Sequence, residues 1–388
     1  MTRAASRYGI ITFDLDEELT YPPGHPFRPE RAAQLMDVLA GEGLLDESWC
    51  DLLPAEPASR EELERFHLPE YLDLIERAGR GEISVEMLSH GLGGEDCPAF
   101  RGVYELARLA AGASLGGARL LLDGSYRALL NPLGGFHHAG PSNAEGFCYV
   151  NDVVLSCMEL AERGAKVACV DLDVHHGNGT EAAFLADPRV LVVSTHQSGK
   201  TLYPWSGSEK VLGEGAARGT NVNLPLLPGA DDDAFMSVID AVVMPVLRAH
   251  RPDVLVLEIG MDVLSGDPLA ALRLTNNGMA DAAERIRELD VPMLVLGGGG
   301  YDPARTASGW ALTWSVLCDA EVEDDYIGSV GGVLLGSRER DGGGALREMR
   351  EYSRGREREL VEAHVERLIE FHRRELFPLL PNFPSPRS

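Results

Sequence analysis

Asp171, Asp173 and His175 fall at every second position of the stretch Val167-Ala-Cys-Val-Asp-Leu-Asp-Val-His-His-Gly-Asn-Gly179. In a strand, residues i, i+2 and i+4 share one face, and Val170, Leu172 and Val174 take the other. Two carboxylates and an imidazole are thus aimed together from a segment whose opposite face is built for burial. Buried carboxylates are costly unless paired or bound to a metal. The spacing predicts a metal site at the end of this strand. Asp262, in Glu258-Ile-Gly-Met-Asp262, closes another apolar run and offers a third ligand. Asp173, His175 and Asp262 would leave a position open for water and substrate, as a catalytic Zn²⁺ needs. Two carboxylates also suit Fe²⁺ or Mn²⁺, so ligand type does not settle the metal.

Two further groups fit chemistry at such a centre. Adjacent histidines, His137 and His138, follow Gly134-Gly-Phe136 at a strand end and suit general acid–base work. Asp171 is placed to orient one of the pair and Asn178 the other. Tyr301 follows four glycines, which let the backbone approach a ligand closely. Its hydroxyl would polarise a carbonyl oxygen opposite the metal.

The elements that must position these residues alternate. Apolar, β-rich runs occur at 8–13, 127–133, 167–174, 190–196, 254–259 and 293–296. Helical patterns occur at 30–39, 61–77, 100–122, 151–163, 234–250, 277–289, 306–318 and 360–377. Residues 79–98 read as irregular, and 321–356 as charged, Gly-rich surface loops. Alternation of this kind predicts an α/β fold: a single domain over 1–388, three layers deep, with a mostly parallel central sheet. Ligands of open parallel sheets bind beyond the carboxyl ends of the strands, where these His, Asp and Tyr residues arrive.

Composition limits the classes of function. The net charge of −26 over 388 residues argues against a phosphate backbone as direct partner. It suits cationic or Lys-bearing partners, although a solvated acidic surface accounts for most of the excess. No apolar run approaches the length of a membrane span, and no secretory leader is read at Met1–Ser6. The six cysteines form no Cys-x-x-Cys pair and read as reduced thiols of a cytoplasmic protein.

Seven motifs, taken together, resemble the zinc-dependent histone-deacetylase family, including its bacterial acetoin-utilisation-type members. They are Gly24-His-Pro-Phe-Arg-Pro-Glu-Arg31, Asp96-Cys-Pro98, Gly134-Gly-Phe-His-His-Ala139, Glu145-Gly-Phe-Cys-Tyr-Val-Asn-Asp152, Asp171-Leu-Asp-Val-His-His-Gly-Asn-Gly179, Gly260-Met-Asp-Val-Leu-Ser-Gly-Asp-Pro268 and Gly297-Gly-Gly-Gly-Tyr301. They keep the family's order within a core of about 8–318; residues 321–388 carry no such motif. The resemblance implies an arginase/deacetylase fold and hydrolysis of an N-acetyl amide on an acetylated protein or peptide. It implies Zn²⁺ on Asp173, His175 and Asp262, with His138 as general base beside His137, and Tyr301 as oxyanion donor. It further implies Phe147 and Tyr203 as walls of an acyl-lysine tunnel, with the Gly146 carbonyl offered to the amide N–H. Asp96 would hold the substrate backbone at the rim, and Arg31 would line an internal channel. Structural K⁺ is implied near Asp171, Asp173, His175, Ser194 and Thr195.

The chain also departs from that pattern. Asn178 stands where class I members usually have Asp, and a neutral partner leaves its histidine less basic. Tyr203 replaces a common tunnel Phe, and Glu258 and Met261 replace the usual Gln and Ala. Leu269 occupies the position of a gatekeeping Glu in a polyamine-selective relative. The first reading is therefore a lysine deacetylase; an amidohydrolase for small acetylated amines such as acetylpolyamines is the enzymatic alternative. A catalytically silent acyl-lysine binding module and a two-metal ureohydrolase rank below both. The oligomeric state is not readable from the sequence.

Overall fold

In the computed structural model, which describes residues 7–15, 19–320 and 346–381, eight strands form one sheet. They are β1 (Arg7–Thr12), β2 (Cys50–Pro54), β3 (Tyr126–Asn131), β4 (Val167–Asp171), β5 (Val190–Gln197), β6 (Asn221–Leu226), β7 (Val254–Glu258) and β8 (Met293–Leu296). The spatial order is β2-β1-β3-β8-β7-β4-β5-β6, and every neighbouring pair is parallel. All residues of β4 to β8 are buried, as expected of a parallel sheet covered by helices on both faces.

The helices run in chain order as α1 (Arg31–Gly41), α2 (Arg60–Leu63), α3 (Pro69–Gly79), α4 (Val85–Ser89), α5 (Val103–Leu122), α6 (Asp152–Glu162) and α7 (Asn178–Phe184). They continue as α8 (Asp232–Val238), α9 (Met244–His250), α10 (Asn276–Arg287), α11 (Pro303–Leu317) and α12 (Gly355–Glu375). Among the described residues, no helix is long and apolar enough to cross a membrane.

Several boundaries differ from the sequence reading, each for a local reason. The helix expected over 61–77 is two, because Pro69 starts α3 and holds Leu68 extended at ψ 139°. The helix expected over 234–250 is interrupted by a π turn at Ile239–Val243, next to Pro245, which has no N–H to continue an α-helical ladder. The stretch 79–98 is not wholly irregular: the Ser84 side chain caps the short α4. The two outermost strands, β2 and β6, and the short helix α7 were not anticipated. Of the loop expected at 321–356, residues 321–345 lie outside the described residues.

The strand expected over 167–174 ends at Asp171. Asp171 Oδ1 accepts the Asp173 N–H at 3.0 Å, and Asp173 Oδ1 accepts the His175 N–H at 2.8 Å. The every-second spacing therefore belongs, beyond Asp171, to two successive carboxylate-to-backbone turns rather than to a pleat.

Chain direction changes sides between β4 and β7. From β4 the chain continues through α7 to β5, toward the β6 edge; from β7 it continues through α10 to β8, toward the β2 edge. A crevice opens beyond the carboxyl ends of such a pair. The ladder pairs Asp171 with Glu258, so two acids stand side by side at its mouth.

Candidate metal centre and imidazole pair

Asp173 and His175 come from the turn after β4, and Asp262 from the turn after β7. One ligand atom from each lies within 4.8 Å of the others, and all three residues are buried. His175 Nδ1 is 3.1 Å from Asp262 Oδ2 and 3.3 Å from Asp173 Oδ1. Backbone donors fix the carboxylates: Val174 N–H donates to Asp262 Oδ1 at 3.0 Å, and Gly299 N–H to Asp173 Oδ2 at 2.6 Å.

The chain's glycines make room for this cluster. A Cβ on Gly260 would lie 2.1 Å from Asp173 Oδ2, and one on Gly299 would lie 2.0 Å from Asp262 Oδ2. Two buried carboxylates face one imidazole, a surplus of negative charge that a cation offsets. In the protein alone, burial and then the charge of Asp173 push the Asp262 carboxyl up to about 7. Burial alone would lower His175, but its bonds to Asp173 and Asp262 hold it up at about 9. The donor set, its spacing and its charge fit a divalent metal ion.

The imidazole pair adjoins this cluster. His137 Nε2 and His138 Nε2 are 3.2 Å apart, and the rings of His138 and His175 meet edge-on at 5.9 Å. His137 Nδ1 faces Asp171 Oδ2 at 2.8 Å and also Glu258 Oε1 at 3.1 Å. His138 Nδ1 faces Asn178 Oδ1 at 2.7 Å. Burial pushes His137 down, yet Glu258 and Asp171 together raise it well above the ordinary imidazole value. His138 is pushed well below it, by burial first and then by His137 and His175. The two neighbours are thereby driven apart, a condition that suits an acid and a base working together.

The loop carrying both histidines is clamped from the start of α6. Asn151 Nδ2 donates to the carbonyls of His137 at 3.2 Å and Ala139 at 3.0 Å. Asp152 Oδ1 accepts the Gly135 and Phe136 N–H groups. Both residues lie within the Glu145–Asp152 motif, but nothing in the sequence gives them a part. Their signal is a buried Asn-Asp at a helix start, legible only once the loop packs on it.

Three aromatic rings gather over the cluster. Tyr203 meets His138 edge-on at 5.2 Å, and Tyr301 meets Phe147 at 5.7 Å and His175 at 6.3 Å. Phe147 has φ 66°, a left-handed conformation rare for a bulky residue, and the Tyr21 hydroxyl holds its carbonyl at 2.6 Å. Gly146 packs so tightly that a Cβ would lie 2.2 Å from His138 Cδ2. Its N–H donates to Asp96 Oδ2 at 2.8 Å, and Asp96 is exposed. The Tyr301 N–H donates to Asp267 Oδ2 at 2.8 Å, and Asp267 Oδ1 takes the Leu269 N–H at 2.9 Å. Burial, then the charges of Asp262 and Asp173, raise Tyr301 well above the usual phenol value, so it remains a donor.

Arg31, 2% exposed, sits between Phe27 and Trp310 and donates to the carbonyls of Gly300 at 2.7 Å and Gly298 at 2.9 Å. It braces the glycine loop that carries Tyr301; its buried Nε has no hydrogen-bond partner among the described residues. Thr195 Oγ1 donates to the Asp171 carbonyl at 3.4 Å, and Ser194 Oγ lies 2.9 Å from His196 Nδ1. Asp173, His175 and Asp262 thus lie beside His137, His138 and Tyr301. Glu258, whose charge the sequence left unplaced, meets His137, and burial followed by the charge of Asp171 pushes its own carboxyl well up.

Residues 25–317 match the model of the histone deacetylase domain. Histone deacetylase RPD3 of Saccharomyces cerevisiae is 35% identical over 308 residues, spanning 79% of this chain and 70% of that protein. Histone deacetylase B of Dictyostelium discoideum is 36% identical over 313 residues, 79% of this chain and 74% of that one. The crystal structure of an HDAC homolog from Aquifex aeolicus superposes with a TM-score of 0.80 at 29% identity, covering 94% of this chain and all of that one. An HDAC homolog complexed with SAHA superposes with the same TM-score.

Proposed function

The chain belongs to the histone deacetylase family, and from that premise we propose that it removes acetyl groups from Nε-acetyl-lysine in proteins or peptides. The family is one of metal-dependent hydrolases with the arginase/deacetylase fold. The observation that carries the reading is the approach of two clusters: ligand atoms of Asp173, His175 and Asp262 within 4.8 Å, beside imidazoles 3.2 Å apart.

Asp173, His175 and Asp262 would hold Zn²⁺, or Fe²⁺ on the same ligands, which would supply Lewis-acid chemistry toward an acetyl carbonyl and a water molecule. His138 Nε2 takes a proton from the attacking water, with Nδ1 turned toward Asn178. The Tyr301 hydroxyl donates to the acetyl oxygen as negative charge grows there. His137, kept basic by Asp171 and Glu258, holds a proton for the departing lysine amine.

Phe147 and Tyr203 wall the acyl-lysine chain, and Asp96 takes the substrate backbone at the rim. Gly146 offers its carbonyl to the amide N–H. Arg31 would line a channel next to the Asp173, His175 and Asp262 cluster, a reading supported by its Nε, which has no hydrogen-bond partner among the described residues. A structural K⁺ would sit near Asp171, Asp173, His175, Ser194 and Thr195, a reading supported by the pairing of Asp171 with Ser194 at neighbouring strand ends. Residues 1–388 are read as one domain: Val361, Val365 and Leu368 of α12 join the same apolar core as β4 to β7. Six buried, unpaired cysteines suit a reducing cytoplasm, and the net charge of −26 disfavours nucleic acid as partner.

Leu269 in place of a gatekeeping acid favours peptides over small acetylated amines. The test compares kcat/KM on acetyl-lysine peptides and on acetylated polyamines. Faster peptide turnover is expected; much faster polyamine turnover overturns the choice of substrate.

A further inference from the structure

A carboxylate at position 178 would make His138 more basic; Asn178 is neutral, but a carboxylate lies one residue further out. Asn178 Oδ1 is 2.7 Å from His138 Nδ1, and Asn178 Nδ2 donates to Glu145 Oε1 at 3.1 Å. The Tyr203 hydroxyl donates to the same oxygen at 3.0 Å, and Asn143 Nδ2 donates to Oε2 at 3.3 Å. These three donors are neutral.

An ionised carboxylate only accepts hydrogen bonds, whereas an amide has one accepting and one donating end. Glu145 therefore dictates that Asn178 presents Nδ2 outward and Oδ1 toward His138. Oδ1 in turn demands a donor, which fixes the proton of His138 on Nδ1 and leaves the lone pair on Nε2, the atom facing His137. We propose that Glu145 is a positioning residue for deacetylation. Acting through the Asn178 amide, it selects the tautomer in which His138 works as a base. It also returns, by polarising that amide, part of the negative charge that an Asp at 178 would supply. The same oxygen anchors Tyr203, tying the aromatic wall to the base.

This inference rests on His138 being the base of the proposed reaction. It is tested by steady-state kinetics on an acetyl-lysine peptide with Glu145→Gln, Asn178→Asp and the double variant. Glu145→Gln keeps the acceptor but removes the charge. It is expected to lower kcat about 3- to 10-fold with KM within about twofold, charge-assisted bonds being roughly twice as strong as neutral ones. In the Asn178→Asp background the sign reverses, because two carboxylates then oppose each other and Gln relieves them; kcat rises about threefold or more. A loss of the same size in both backgrounds overturns the relay, as does a loss that vanishes in Tyr203→Phe.

A second measurement is independent of turnover. ¹⁵N NMR of labelled histidines, with His138 assigned by its absence in His138→Ala, is expected to show one Nδ1-protonated tautomer in the wild type. Glu145→Gln lets the amide turn over and populates the Nε2-protonated form. An unchanged tautomer in that variant refutes the inference even if the wild type hydrolyses no acetyl-lysine, an outcome that separately removes the assigned function.

Discussion

Glu258 Oε1 lies 3.1 Å from His137 Nδ1, so this imidazole faces two carboxyl groups, with Asp171 Oδ2 at 2.8 Å. Adjacent strand ends impose the arrangement, because Asp171 and Glu258 are ladder partners. Burial and Asp171 push Glu258 up, while burial opposes and the two acids favour a charged His137. Two consequences follow for Glu258→Gln. The alkaline limb of kcat/KM, where His137 must hold its proton, is expected to move to lower pH. A carboxyl whose folded pKa is raised binds its proton more tightly in the folded state, so its contribution to stability is lost as pH rises. The variant should therefore exceed the wild type in melting temperature at pH 8, with the difference shrinking toward pH 4.5. Equal melting temperatures at pH 8 would contradict the placement.

Gly299→Ala tests the metal cradle without replacing a ligand. The added Cβ would stand 2.0 Å from Asp262 Oδ2. Metal affinity is expected to fall about tenfold or more, the scale seen when groups that orient ligands are disturbed. Metal titration followed by calorimetry measures it, with circular dichroism confirming the fold. Unaltered affinity would remove Asp262 from the ligand set.

Tyr301→Phe separates the oxyanion donor from the metal. Loss of one such donor typically costs about 10²–10³ in kcat. Metal content, measured by elemental analysis, is expected to stay at wild-type stoichiometry. Unchanged turnover would show that the hydroxyl, although raised in pKa and beside His175, plays no such part.

Acid should destabilise the fold well above the usual carboxylate range. Burial lowers His67 and His196 to about 3, and His250 to about 4. For a base with a depressed folded pKa, the unfolded chain binds the extra proton below about 6.5, so stability falls as pH drops from there toward 3. Glu159 adds to the loss at lower pH: burial raises it, but Arg119, Arg65 and Arg163 hold it at about 2. Asp232 works in the opposite sense, since burial raises it to about 6 and its contribution is lost as pH rises between 3.8 and 6. Asp262 and Glu258, also raised by burial, act in the same sense as Asp232, so the imidazole contribution is read by difference: His250→Gln is expected to lose less stability than the wild type, by urea midpoint, between pH 6.5 and 4. An equal loss in the two would mean that this imidazole is not buried neutral.

The clustering of Asp173, His175 and Asp262 and the imidazole pair were legible because their residue types are costly to bury and stand at the ends of apolar runs. The inner strands were legible for the same reason: β4, β5 and β7 are short apolar blocks bounded by polar turns. The outer strands were not, because β2 is half exposed and ends in Pro54, and β6 carries Asn221, Asn223 and Pro225. The reach of β4 was overread, since alternation through Asp173 and His175 has the period of a strand but is made by carboxylate-to-backbone turns. Roles that depend on distant packing were the least visible. Glu145 lies 33 positions from Asn178 and Glu258 lies 121 from His137, and nothing local in either stretch announces the partner.

The most direct test of the account is a single assay of the purified chain on an acetyl-lysine peptide, before chelation, after it, and after Zn²⁺ is returned, with Asp262→Asn in parallel. Release of acetate should stop on chelation and recover with Zn²⁺ in the wild type, and stay absent in the variant at every stage. Turnover that survives chelation, or full turnover by Asp262→Asn, would contradict a metal-dependent deacetylase centred on Asp173, His175 and Asp262.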